Sequence, residues 1–180
     1  ITGGLSNFAD HALQITSRHL LRDLANKGLI NTEHQDEPEN DSGYIVLALG
    51  KLGSHALNYS SDVDLIVFFD PAKTKTNKPE NLQRNFIRLT QNLVKVMEDR
   101  TADGYVFRTD LRLRPDPGAT PIAVSTEAAE VYYESLGQNW ERAAMIKARP
   151  VAGDLKRGQE FIDHLKPFIW RKNLDFAAIQ

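Results

Sequence analysis

Two short stretches of the chain, 44–49 and 63–69, are apolar almost without a break. Runs of that length are too continuously apolar for surface strands and predict two strands buried on both faces near the centre of one sheet. Helical spacing governs 6–29, where Leu13, Leu20, Leu21 and Leu24 recur between Ser6, a candidate N-cap, and Gly28, a stop. It governs 81–99 as well, where Leu82, Phe86, Leu89, Leu93, Val96 and Met97 make one stripe for packing on the sheet. Residues 105–114 alternate strictly, with Tyr105, Phe107, Thr109, Leu111 and Leu113 on one face and Arg108, Asp110, Arg112 and Arg114 on the other, which predicts a third strand. From 125 onward the pattern reads as helices over 126–136, 138–148 and 154–165, the last capped by Asp154. Residues 31–43 carry Glu33, Asp36, Glu37, Glu39 and Asp41 with no Lys or Arg, and 70–80 hold Pro71 and Pro79; both predict solvated loops. These elements make an α+β fold with a mixed central sheet and flanking helices. The expected division is a core over 1–125 and a helical extension over 126–180.

Charge and composition change this picture only by exclusion. Lys and Arg total 22 against 24 Asp and Glu, a net charge of −2, so no global basic field argues for nucleic acid and any anion site must be local. The absence of cysteine rules out disulfides, thiolate catalysis and thiolate zinc sites. The apolar runs fall far short of the roughly 20 residues that span a bilayer, so a soluble, cytoplasmic protein is expected. Ile1 in place of Met is what a piece of a longer chain would show. The five histidines have no ligand spacing.

The chemistry gathers around Asp62 and Asp64. The Gly50-Lys51-Leu52-Gly53-Ser54 turn leads to Ser61 and then to an Asp-x-Asp pair entering the second buried run. Side chains two apart on a strand share a face about 6.6 Å apart. Two carboxylates that close, partly shielded from water, call for a divalent cation, and hard oxygen ligands suit Mg²⁺ or Mn²⁺. Asp110, on another strand of the same sheet, is the natural third carboxylate. Arg108, Arg112 and Arg114 share its face and could grip phosphate oxygens in bidentate fashion. Glycines in the 50–54 turn would let backbone N–H groups approach phosphates, although Leu52 stands where a P-loop needs Ser or Thr. Arg142, Lys147 and Arg149 would lie near one another if the helix from 138 reaches that far. Set against this, a lone Asp-x-Asp arises by chance, an Arg/Asp ladder can be a surface feature, and the glycines can be a plain turn. Agreement among the three is what points to metal-assisted phosphoryl or nucleotidyl transfer.

Those motifs resemble the nucleotidyltransferase superfamily of the polymerase-beta type, and more closely the glutamine synthetase adenylyltransferase/adenylyl-removing family. The likeness covers nearly the whole chain through 49–53, 57–66, 103–108, 110–115 and 140–149. It implies the nucleotidyltransferase fold, with Asp62, Asp64 and Asp110 as metal-binding and catalytic residues. Gly50, Lys51, Gly53, Ser54, Ser61, Arg108, Arg112, Arg114, Arg142 and Lys147 would lie around the nucleotide phosphates. The Arg-Leu-Arg-Pro and Trp-Glu-Arg segments resemble the N-terminal, adenylyl-removing half of that family, which implies phosphorolysis of AMP from a glutamine synthetase tyrosine with release of ADP. Partners implied are glutamine synthetase, phosphate, ADP or ATP, and a PII-type signalling protein acting through the full-length chain. Two alternatives stay open: ATP-dependent adenylylation, and an inactive nucleotide-binding module.

Overall fold

The computed structural model describes residues 2–170. Its elements run α1 (Thr2–Asn26), β1 (Tyr44–Ala48), α2 (Gly50–Gly53), β2 (Val63–Phe69), α3 (Leu82–Glu98), β3 (Thr109–Asp110), β4 (Ala123–Ser125), α4 (Thr126–Ser135), α5 (Asn139–Met145), β5 (Arg149–Gly153), α6 (Leu155–His164) and α7 (Lys166–Ile169). The strands form one mixed sheet in the order β3-β2-β1-β5, with β4 also pairing β2. β1 is antiparallel to both β2 and β5, whereas β3 and β4 join β2 in parallel, one near each end.

The two apolar runs are the central strands because each has helices on both faces. Val46, Ala48, Val63, Leu65 and Val67 pack under α1 and α3 with Leu13, Leu21, Phe86, Leu89 and Leu93. Ile45, Leu47, Ile66 and Phe68 pack on the other side with Ala129, Tyr133, Met145, Phe161 and Leu165 of the C-terminal helices. Every residue of β1 is buried, and in β2 only Asp64 is partly exposed.

Several expectations hold and several are corrected. The stop at Gly28 is real: its φ is +65°, and Leu29 N–H closes on Leu24 O at 3.0 Å. Ser6 is not the N-cap, because α1 begins at Thr2. Its hydroxyl sits inside the helix, donating to Thr2 O at 3.0 Å and accepting Leu57 N–H at 3.2 Å. The acidic 31–43 segment is a folded loop, laid on α1 through Arg18 to Glu39 and Arg22 to Asp36 O.

The strand expected over 105–114 shrinks to Thr109–Asp110. Before it, Val106 and Phe107 bond to Met97 O at the end of α3, and Glu98 takes both the Thr109 N–H and hydroxyl at 2.7 Å. After it, the Asp110 carboxylate accepts the Arg112 N–H at 2.8 Å, a side-chain turn that ends the strand. Residues 126–170 are not solely helical either. β5 pairs along β1, so the segment after 125 completes the sheet. α6 is capped as expected, Asp154 accepting Arg157 N–H at 2.9 Å. The expected helical end beyond 170 lies outside the described residues.

Candidate active site

β2 enters the sheet at Val63, so Asp62 stands just outside the strand and Asp64 inside it. Alternation turns Val63 and Leu65 toward α1 and α3, and sends Asp64 to the face of Ile66 and Phe68. Across from it, the parallel register pairs Asp64 with Asp110. Strand neighbours lie about 4.8 Å apart in that direction, so the two carboxylates issue from adjacent backbone positions. Asp62, Asp64 and Asp110 are thereby gathered at one corner of the sheet, from two strands that approach each other only in the tertiary structure.

Each carboxylate there has a different environment. Asp62 is half exposed and accepts Arg108 Nε at 2.6 Å, while Arg108 Nη2 donates to Ser60 O at 3.2 Å. The side chain of Asp110 is 16% exposed and gripped from one side by Arg112, with Nη2 to Oδ2 at 2.5 Å and Nε to both oxygens at 3.0 Å. That guanidinium holds the Asp110 carboxyl below its ordinary range. Asp64 has no such partner: among the described residues its carboxylate accepts no hydrogen bond. Burial, followed by the charges of Asp110 and Asp62, pushes its pKa up, against smaller opposing effects of Arg112 and Lys51.

Gly50 is what makes room for Asp64. Its φ is +54°, and a Cβ built there would overlap Asp64 Oδ2. The other turn residues have less direct roles. Lys51 is exposed, with Nζ 3.2 Å from Ser61 Oγ, and Ser61 in turn donates to Asn58 Oδ1 at 2.6 Å. Ser54 folds its hydroxyl back onto Gly50 O at 3.0 Å. Gly53 is small for packing, since a Cβ there would run into the Lys147 and Ala48 carbonyl oxygens.

None of the remaining expected residues bonds to the three carboxylates among the described residues. Arg114 turns into its own loop and donates to Leu111 O, Pro117 O and Thr120 O, so its guanidinium is not on the Asp110 face. α5 ends at Met145, which removes the single helical face proposed for Arg142 and Arg149. Arg142 lies 5.3 Å over the Phe168 ring, Lys147 sits exposed in the turn after α5, and Arg149 belongs to β5. There Arg149 bonds Asp10 at 2.8 Å and Leu52 O at 3.0 Å, tying β5 to α1 and α2.

Two residues that the sequence did not single out form a partly buried pair beside the loop that follows Asp110. Glu141 is 1% exposed and accepts from Gln138 N at 2.7 Å and Tyr132 Oη at 3.1 Å. The signal for Glu141 was legible as a capping box, Gln138 with Glu141 three residues on. Nothing in the spacing marks Tyr132.

The fit to a cation is one of charge. Three acidic groups interact at the corner, and Asp64, partly buried among them, lacks a hydrogen-bond donor, which is the electrostatic condition that a hard divalent ion relieves. Among the described residues no three acidic or histidine side chains stand as a ready-made ligand set, because Asp62 and Asp110 point their oxygens at guanidinium groups. No helix of the described residues is long and apolar enough to cross a membrane.

Comparison with known proteins adds to this geometry. Residues 1–164 match the profile of the family described as glutamate-ammonia ligase adenylyltransferase. The chain is 52% identical over 178 residues to a protein of Rhizobium meliloti and 54% identical over 178 residues to one of Agrobacterium fabrum. It is 55% identical over 175 residues to one of Mesorhizobium japonicum. All three relatives are named bifunctional glutamine synthetase adenylyltransferase/adenylyl-removing enzyme. The matches cover 97% to 99% of this chain but 18% of each relative, so the chain spans less than a fifth of their length.

Proposed function

The chain belongs to the glutamate-ammonia ligase adenylyltransferase family, and from that premise we propose that it is a nucleotidyl-transfer domain that removes AMP from an adenylylated tyrosine of glutamine synthetase by phosphorolysis. The observation that carries this reading is the register of Asp64 against Asp110 with Asp62 adjacent. It gathers carboxylates from two strands beside two guanidinium groups. The choice of removal over transfer rests on the likeness of segments 110–115 and 140–149 to the adenylyl-removing half of the family.

In the proposed reaction an oxygen of inorganic phosphate attacks the phosphorus of the AMP group. The bond from phosphorus to the tyrosine oxygen breaks, its electron pair stays on that oxygen, and a proton from solvent restores the phenol; ADP leaves. Such a transfer needs little covalent help from protein and much positioning. A divalent cation, Mg²⁺ or Mn²⁺, held by Asp62, Asp64 and Asp110 would offset charge on the phosphoryl oxygens. Arg108 and Arg112, both exposed at the tips and adjacent to the carboxylates, supply planar donors to phosphate oxygens. Lys51, exposed and held at Ser61, adds a positive charge on the Gly50 side. Gly50 keeps the Asp64 carboxylate seated against the turn. Glutamine synthetase, phosphate and ADP are then the partners of this domain, and control by a PII-type protein would reach it through the longer chain.

The test is direct. Protein incubated with Mg²⁺, phosphate and adenylylated glutamine synthetase should release ADP, and Asp64→Asn should cut that release by a factor on the order of 10² or more. Pyrophosphate formed from ATP and unmodified glutamine synthetase would instead establish the transferring direction. Full ADP release by the Asp64→Asn variant would remove the carboxylate mechanism.

A further inference from the structure

Arg114, expected to grip phosphate beside Asp110, turns its guanidinium into its own loop, and that placement suggests a different role. Its guanidinium donates through Nη1 to Leu111 O at 2.9 Å, through Nη2 to Pro117 O at 2.7 Å, and through Nε and Nη2 to Thr120 O at 3.3 Å each. The surrounding loop holds Pro115, Pro117 and Pro121, residues that bring no backbone N–H. A loop short of its own donors leaves carbonyls unsatisfied, and one planar group with five N–H bonds can serve several at once. The Thr120 hydroxyl completes the winding, reaching Pro115 O and Asp116 O.

The loop is also held from outside. Asp116, at φ +39°, lies with its backbone against the Tyr132 phenol, which donates to the buried Glu141 carboxylate. Glu141 is fixed in turn by the N–H of Gln138 at the start of α5. The loop therefore has an internal clamp and an external anchor, and its first residue, Leu111, is the neighbour of Asp110.

We propose that Arg114 is a positioning residue: by clamping Leu111, Pro117 and Thr120 it holds the turn in which Asp110 and Arg112 face each other at the register opposite Asp64, with Tyr132 and Glu141 anchoring the far side of the loop. This rests on the reading that Asp64 and Asp110 ligate a divalent cation. A bidentate anion contact at Arg114 would compete with these carbonyl hydrogen bonds for the same N–H groups, which separates the two roles experimentally.

The experiment titrates Mn²⁺, followed by the paramagnetic resonance of the free ion, into the wild-type chain and into the Arg114→Ala, Arg114→Lys, Tyr132→Phe and Asp64→Asn variants. The kinetic constants for phosphate are measured with adenylylated glutamine synthetase. Loss of an outer support commonly weakens metal binding about tenfold or more, so Arg114→Ala should raise the Mn²⁺ dissociation constant about tenfold and lower kcat, with KM for phosphate changed less than about threefold. Arg114→Lys should recover little, because an ammonium cannot span three carbonyls. Methylguanidinium in solution should restore Mn²⁺ binding to Arg114→Ala, a rescue that a general loss of packing would not show. Tyr132→Phe, which deletes one hydroxyl, should weaken Mn²⁺ binding in the same direction and decides the matter if Arg114→Ala does not fold. Unchanged Mn²⁺ affinity with a raised KM for phosphate would make Arg114 an anion ligand and overturn the proposal. Failure of wild type to bind Mn²⁺, or equal binding by Asp64→Asn, would overturn the cation reading itself and this role with it. Wild-type-like binding by Arg114→Ala alongside a defective Asp64→Asn would overturn only the positioning role.

Discussion

The two ends of β2 carry the same chemistry to opposite purposes. At its far end Asp70 is 4% exposed and fully engaged: one oxygen accepts the Ala72 N–H at 2.9 Å and the other pairs with Arg157. Asp154 beside it caps α6 and also takes the Gly43 N–H. That end is a closed network joining β1, β2 and α6, and a buried acid so fully partnered is structural. At the near end, Asp62 and Asp110 face exposed guanidiniums and Asp64 faces none. Carboxylates and arginines at a strand end are therefore not evidence of a site. An acid left without a donor, raised in pKa by burial and by its neighbours, is the distinguishing mark.

Three variants would break or sharpen that contrast. The largest expected effect is at Asp64, where Asn should cut ADP release by a factor on the order of 10² to 10³ without lowering the melting temperature. At the other end, Arg157→Ala should do the reverse. It leaves the Asp70 carboxylate buried without its cation, at a cost of about 3 kcal/mol in denaturant unfolding, while Mn²⁺ binding survives at temperatures where the chain stays folded. Gly50→Ala comes next: at φ +54° against Asp64 Oδ2 it should cost about 1 kcal/mol in stability and also displace the carboxylate, seen as weaker Mn²⁺ binding. A stability defect with unaltered binding would show that Gly50 serves the turn alone.

The smallest effect is in pH dependence. The Asp64 pKa is raised in the folded chain, so between its unfolded and folded values the native state holds more protons than the unfolded one, and stability falls as pH rises through that window. Asp64→Asn removes the penalty. In metal-free buffer it should melt slightly above wild type at neutral pH, and the difference should vanish below pH 3.8, the ordinary carboxyl value, where both side chains are neutral.

The central strands, α3, α6 with its Asp154 cap and the Asp64 corner were legible because each rests on local periodicity or on one acid interrupting an apolar run. β5 was not. It offers only Val151 and Ala152 between Pro150 and Gly153, and a proline is tolerated there because β5 is at the edge of the sheet. The alternation over 105–114 misled for a different reason: the side chain of Asp110 competes for the backbone of Arg112 and ends the strand after two residues. Which way Arg114 points off that turn is decided by the carbonyls of Leu111, Pro117 and Thr120 in its own loop, information that face-counting lacks. Gly50 was recognisable as a turn glycine, yet its service to Asp64 exists only once β2 lies alongside.

β1 has a further consequence for how the polypeptide can be divided. Its five residues are wholly buried and bonded on both flanks, by β2 and by β5. Severing the chain near 125 would strip one flank and bare a ribbon of Tyr44, Ile45, Val46, Leu47 and Ala48 with unpaired amides, a template for intermolecular stacking. A proteolytic nick or gene fusion placed there should yield insoluble aggregate rather than an independent module, so any viable seam lies past Gly153.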